Sequence, residues 1–141
     1  MEIADVRRAV HGAIERGRQE SAQRRERQEQ ASRAFDAFLN HTCIPLMRQI
    51  ANVLRAEGYP FGLATPAGSV KLSSDKSADN FIEVSLDTAG DAPRVVARTR
   101  YARGRRVVDA ERVVASGDPE VLTDTDLLAF LTRELETLIE R

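Results

Sequence analysis

Apolar residues in the first third of the chain recur at helical spacing, in two blocks separated by a polar stretch. Ile3, Val6, Val10 and Ile14 mark the first block, which predicts an amphipathic helix of about four turns. The stretch 17–30 contains no large apolar residue, so it is either a solvated helical spacer or a frayed linker. We interpret residues 1–32 as a charged helical arm, called the arm below.

The second block, residues 33–57, predicts the main helix of a domain. Its apolar stripe comprises Phe35, Phe38, Leu39, Thr42, Cys43, Leu46, Ile50, Val53 and Leu54, widened by Ile44, Met47 and Ala51. Pro45 interrupts this stripe, and an internal proline removes one helical hydrogen bond. We therefore expect either a kink near residue 45 or a break at which Thr42 caps a second helix. Gly58 is suited to the left-handed residue that ends this helix.

After Gly58 the pattern changes to alternation and to β-branched residues, which predicts strands. We expect five strands, at 59–65, 69–74, 80–88, 94–102 and 105–115. The short connections between them predict an antiparallel meander. Pro60 and Pro66 bracket the first strand, as suits the edge of a sheet.

The alternation also predicts the two faces of this sheet. The helix-covered face would carry Val70, Leu72, Ile82, Val84 and Leu86. The other face would be exposed to water, as antiparallel sheets allow. It would carry Lys71, Glu83, Asp87, Arg98 and Arg100, together with Arg106 or Arg112 depending on the register of the last strand.

A third helix is predicted over residues 118–141. Thr123 and Asp126 are spaced as a capping box, and leucines recur at helical spacing from Leu127 to Leu138. Glu134, Glu136 and Glu140 are expected to face water. The fold class is therefore α+β: a long N-terminal helical region, a five-stranded antiparallel meander and a C-terminal helix on the same sheet face. Residues 33–141 form a single α+β domain in this interpretation.

Composition supports an ordinary globular chain. It has 141 residues, of which 42% are hydrophobic and 30% are charged, which suits one domain with a core. The single cysteine excludes an intramolecular disulfide and favours a reducing compartment. The first residues include acids where a signal peptide would be basic, and no long apolar run follows. We expect a cytoplasmic protein that does not associate with membranes.

Charge is distributed unevenly along the chain. The formal net charge of −1 argues against a bulk nucleic-acid binder, yet residues 94–112 hold seven arginines and two acids. These candidate anion-binding or nucleic-acid-binding residues are Arg94, Arg98, Arg100, Arg103, Arg105, Arg106 and Arg112. The alternative interpretation is that Arg98 and Arg100 pair across strands with Glu83 and Asp87.

No catalytic, metal-binding or cofactor-binding motif is present at a recognisable spacing. His41 and Cys43 are close in sequence, but the only other histidine is His11 and there is no second cysteine. Glycine-rich phosphate loops are absent as well. We expect no catalytic residue, metal or cofactor, although a small-ligand or enzymatic role in a pocket between sheet and helices remains an alternative.

The sequence therefore favours a non-catalytic interaction or assembly module. The arm would hold an apolar peptide on a polar spacer and bind a protein partner or a second subunit, making a homo-oligomer. The alternative for residues 3–14 is that they fold back onto their own domain. The candidate partner-binding residues are Ile3, Val6, Val10, Ile14, Phe35, Phe38 and Leu39. The alternative is nucleic-acid binding through the arginine-rich strands 94–112.

Overall fold

The computed structural model describes residues 1–139, so the expectation for Glu140 lies outside the described residues. The helices are α1 (Ile3–Phe38), α2 (Ile44–Ala56) and α3 (Asp124–Ile139), with a π-helical turn at Leu39–Cys43 between the first two. The strands are β1 (Phe61–Ala64), β2 (Ser69–Ser74), β3 (Ser77–Asp87), β4 (Arg94–Arg103) and β5 (Arg106–Val113). This is the predicted α+β fold, with a long N-terminal helix, a five-stranded antiparallel sheet and a C-terminal helix against the strands.

The helix neither breaks at Thr42 nor ends near Pro45. The backbone stays helical through the π-helical turn, in which the Ile44 amide donates to the Leu39 carbonyl, five residues earlier. Pro45 then falls in the first turn of α2, where its missing amide hydrogen costs little. The Asn40 side-chain amide also donates to the Asp36 carbonyl at 2.9 Å. The wider turn therefore accommodates the proline without separating the two helices.

The π-helical turn changes which residues after Pro45 face the core. A π turn inserts one residue, and one residue corresponds to a rotation of about 100° in an α-helix. The prediction is therefore wrong for Val53, which is 61% exposed. Met47, Ala51 and Leu54 of the predicted stripe are buried, and Leu46 and Ile50 pack against the core.

The sheet has the strand order β1-β2-β3-β4-β5, and each neighbouring pair is antiparallel. This confirms the meander and places β1 at an edge. Strand β3 begins at Ser77, three residues earlier than predicted, after a tight turn at Asp75 and Lys76. Its first residues are polar, so their pattern does not indicate a strand. Asn80 is buried in this part of β3. Its side-chain oxygen accepts the Ala102 amide at 3.0 Å, which compensates for the burial of this polar group.

The core lies between one face of the sheet and the helices. Val70, Leu72, Ile82 and Val84 are fully buried, as predicted, and half-buried Leu86 packs against them. The helices contribute mainly Phe35, Phe38, Leu39, Cys43, Met47, Leu127 and Leu131.

The C-terminal end of α2 and the N-terminal start of α3 form as the sequence predicts. Gly58 follows α2 with a φ of +91°, in the left-handed region. At α3, Thr123 Oγ1 accepts the Asp126 amide at 3.2 Å, while an Asp126 carboxylate oxygen accepts the Thr123 amide at 3.1 Å. This reciprocal capping box fixes where α3 starts relative to the sheet.

We predict that Met47→Ala lowers the free energy of unfolding by about 2–5 kcal/mol, because Met47 is fully buried and its loss leaves a cavity. Val53→Ala, on the exposed side of the same helix, should change it by about 0.5 kcal/mol or less. Urea denaturation followed by circular dichroism measures both. Equal effects of the two substitutions would contradict the assigned helix face.

Candidate functional site

The arm is a continuous helix that leaves the domain. Every residue from 3 to 27 is exposed except half-buried Gly12, and this stretch spans about 37 Å at 1.5 Å per residue. The first hydrogen bonds to the domain come later, from the Gln28 side chain to the Thr88 carbonyl at 3.4 Å and from Gln30 to Glu120 at 2.9 Å. The polar segment is thus helical.

Four apolar side chains on this helix are exposed. Ile3 is 78% exposed, Val6 48%, Val10 52% and Ile14 45%, and we call these four residues the arm stripe. They lie on one side of the helix because they are spaced at three, four and four residues. Phe35, Phe38 and Leu39, which the sequence grouped with them, are instead buried in the core.

The arm stripe lies on the side of α1 that carries the domain. Val10 and Gln28 are 18 residues apart, which is five turns of 3.6 residues. Phe35 follows Val10 by 25 residues, or close to seven turns. A molecule bound to the stripe therefore lies on the same side of α1 as the sheet and α3.

The face of the sheet opposite the helices is called the open face below. It is charged, and its cationic side chains cover one aromatic ring. Phe81 is only 4% exposed, although it lies on this face. The Lys71 ammonium is 4.1 Å from the ring centroid, and the guanidinium carbons of Arg98 and Arg100 are 5.6 and 5.7 Å from it. These cations lie over the π face while their aliphatic parts shield the ring from water.

Asp109 joins the two central arginines of the open face. Its carboxylate oxygens accept hydrogen bonds from Arg98 Nη2 at 2.7 Å and Arg100 Nη2 at 2.9 Å. These bonds to Arg98 and Arg100 lower the pKa of Asp109 from 3.8 to about 2. The Asp109 hydrogen bond also raises the pKa of Arg98. Two arginines predicted as an anion site thus share a carboxylate of the same chain.

The partner of these arginines differs from the one expected. Glu83 is opposite Arg98 in the register, but the guanidinium hydrogen bonds go to Asp109 on β5. The expectation that Arg106 or Arg112 shares the open face is also wrong. The β4–β5 register pairs Arg98 with Glu111 and Arg100 with Asp109, so the acids of β5 occupy that face and the arginines alternate to the other.

The remaining candidate arginines are dispersed over the molecule. Arg94 lies 3.8 Å from Asp87 at the start of β4, and Arg103 stacks over Tyr101 with its guanidinium carbon 5.3 Å from the ring centroid. Arg105 is in the β4–β5 turn, and Arg106 begins β5. The structure therefore brings together Arg98 and Arg100 but does not gather all seven residues on one surface.

Arg112 instead belongs to a groove between the helix-covered side of β5 and α3, called the β5–α3 groove below. Its Nη1 lies 3.2 Å from the carboxylate of Glu134, whose side chain is only 8% exposed. Thr99 Oγ1 also donates to this carboxylate at 3.2 Å. Glu134 was expected to face water, and this expectation is wrong because its position on α3 points towards Arg112 and Thr99.

Cys43 and His41 do not form a reactive pair. Cys43 is fully buried, and burial raises the pKa of its thiol to about 12, so the nucleophilic thiolate is not populated near neutral pH. His41 is exposed on the π-helical turn. Within residues 1–139, no group of three histidine, cysteine, aspartate or glutamate side chains lies together as a metal site would require.

We predict that Asp109 stabilises the fold in a pH-dependent way. Because its folded pKa is depressed, its contribution is fully present above about pH 4 and fades as the pH falls towards 2. The difference in free energy of unfolding between the wild type and Asp109→Asn should shrink across that window in urea denaturation. A difference independent of pH would contradict the role assigned to the hydrogen bonds from Arg98 and Arg100 to Asp109.

A carboxyl NMR titration supplies the control. Arg98→Gln should raise the pKa of Asp109 towards 3.8, because it removes the strongest hydrogen bond. Arg94→Gln should leave that pKa unchanged, because Arg94 pairs with Asp87.

Within the described residues, none of the helices is both long enough and apolar enough to cross a membrane. Comparisons of the chain with protein-family models, with curated proteins and with solved structures found no match.

Proposed function

We propose that this protein is a non-catalytic assembly module that forms homo-oligomers through the arm stripe. The observation that carries the proposal is the exposure of Ile3, Val6, Val10 and Ile14 on a helix that extends away from its domain. Complete burial of one such side chain stabilises an association by about 1.5–3 kcal/mol relative to its exposure. Four exposed apolar side chains on one side of a helix are typical of an amphipathic docking helix.

The arm has little to stabilise it as an isolated helix. Its ion pairs, Arg8 to Asp5 at 3.7 Å and Arg18 to Glu15 at 3.6 Å, are exposed, and such pairs contribute little. Gly12 and Gly17 each disfavour a helix by about 1 kcal/mol relative to alanine. Contact with a second protein surface would supply the missing stabilisation.

The charges of the sheet favour this proposal over nucleic-acid binding. Arg98 and Arg100 are neutralised in part by Asp109, and Arg112 by Glu134. Across the open face, Lys71, Glu83, Arg98 and Glu111 follow one another on neighbouring strands with alternating sign. A phosphate backbone binds to uncompensated positive charge, which this face lacks.

We predict that Val10→Asp raises the dissociation constant of the oligomer at least tenfold, because it introduces a charge into the centre of the arm stripe. Gln19→Asp is the matched control, since Gln19 follows Val10 by nine residues and lies on the opposite side of the helix. Sedimentation velocity over a concentration series measures both variants.

Circular dichroism should show that both variants retain the wild-type fold. A wild-type chain that stays monomeric at high micromolar concentration would overturn the proposed function. An equal effect of Val10→Asp and Gln19→Asp would assign the association to another surface.

A further inference from the structure

The β5–α3 groove is an unfilled surface on the helix-covered side of the sheet. It encloses about 570 Å³ and is lined by residues that include Arg112, Val113, Ala129, Phe130, Arg133 and Thr137. The helix α3 packs over β4 and β3, so β5 extends beyond it. Val108 and Ala110, which alternate with the acids of the open face, are consequently only half-buried.

The groove contains the ion pair of Arg112 and Glu134, yet it retains room for an apolar ligand. Glu134 is held by Arg112 and Thr99, so no buried carboxylate is left without a partner. Phe130 and Ala129 form an apolar wall beside this ion pair. Such a combination suits the apolar side of an amphipathic helix.

The arm of the same chain does not reach this groove. Ile14 precedes Gln28, the first arm residue with a hydrogen bond to the domain, by 14 residues, or about 21 Å of helix. Residues 3–14 are therefore held away from their own domain as long as α1 remains helical. Only a second copy can bring these residues to the groove.

We propose that the β5–α3 groove is the docking site for the arm stripe of a second copy of this chain. This inference rests on the proposed function and names the surface that receives the arm. The lengths match: Ile3 and Ile14 are 11 positions apart, or about 16 Å, and Asp126 and Thr137, at the two ends of the α3 wall, are also 11 positions apart.

The helix dipoles favour an antiparallel arrangement of the arm and α3, with Ile3 beside Thr137 and Ile14 beside Asp126. The two dipoles are opposed in this orientation, which is the favourable one.

Pairing of arms alone is the less favourable assembly. Two arm stripes in contact would involve only about a dozen residues from each copy, whereas a stable interface uses about 20–30 residues a side. Pairing along the whole of α1 is obstructed because the stripe and the domain share one side of the helix. Exchange of arms between two copies makes two arm-to-groove contacts and enlarges the interface.

Site-directed cross-linking tests the contact. In the antiparallel arrangement Val10 lies opposite Phe130, next to exposed Ala129. An equimolar mixture of Val10→Cys and Ala129→Cys chains, treated with a short bismaleimide, should give a covalent dimer of the two variants. Neither variant treated alone should cross-link, and buried Cys43, with its raised pKa, does not compete.

Each outcome of this experiment decides a different point. Cross-linking of Val10→Cys to itself would show that arms pair with arms, which overturns this inference but leaves the proposed function intact. An oligomeric mixture without any cross-link would also overturn it. A monomeric wild type would overturn both proposals.

A groove variant provides an independent measurement. Ala129→Glu, at an exposed groove position, should raise the dissociation constant at least tenfold without unfolding the chain. Leu128→Glu is the control, because Leu128 is 42% exposed and is not among the residues that line the groove. Equal dissociation constants for the two variants would overturn the docking site.

Discussion

The hydrogen bond from the Ile44 amide to the Leu39 carbonyl governs the geometry of the molecule. This bond closes a π turn just ahead of Pro45, so the chain remains helical from Ile3 to Ala56. The inserted residue rotates α2 so that Met47, Ala51 and Leu54 meet the sheet. The same continuity gives the arm its direction, because the arm extends from a helix anchored in the core through Phe35 and Phe38.

The two faces of the sheet are specialised in different ways. The covered face supplies the apolar core, while the open face arranges cations and carboxylates so that they compensate one another around Phe81 and Asp109. Surface ion pairs individually contribute little to stability, but a shared carboxylate between two guanidiniums orders both side chains. The result is a nearly self-neutralised surface.

Much of the architecture follows from local sequence signals. Alternation in the segments around Val70 and Ile82 is sufficient to assign both strands and their covered face, and Thr123 with Asp126 marks the start of α3. The π turn is harder, because a proline within an apolar stripe is equally compatible with a kink, a break or a wider turn. Only the packed core selects among these geometries.

The parts of the candidate site that sequence reasoning missed depend on long-range register. Asp109 and Glu134 each look like ordinary surface acids in the sequence. Their roles arise because the two-residue turn at Gly104 and Arg105 aligns Asp109 with Arg100, and because α3 crosses the sheet where Arg112 and Thr99 are. The consecutive valines at 107 and 108 fit either register. The arm stripe was recognisable from its local spacing, but its exposure was not, because the same spacing fits a helix that folds back onto its own domain.

The acids of β5 have a further consequence for aggregation. An exposed edge strand can pair with the same strand of another molecule and begin a continuous intermolecular sheet. In antiparallel registers centred between Asp109 and Glu111, acid would face acid across the new strand pair, which is destabilising. These acids thereby disfavour edge-to-edge pairing of β5 in that register.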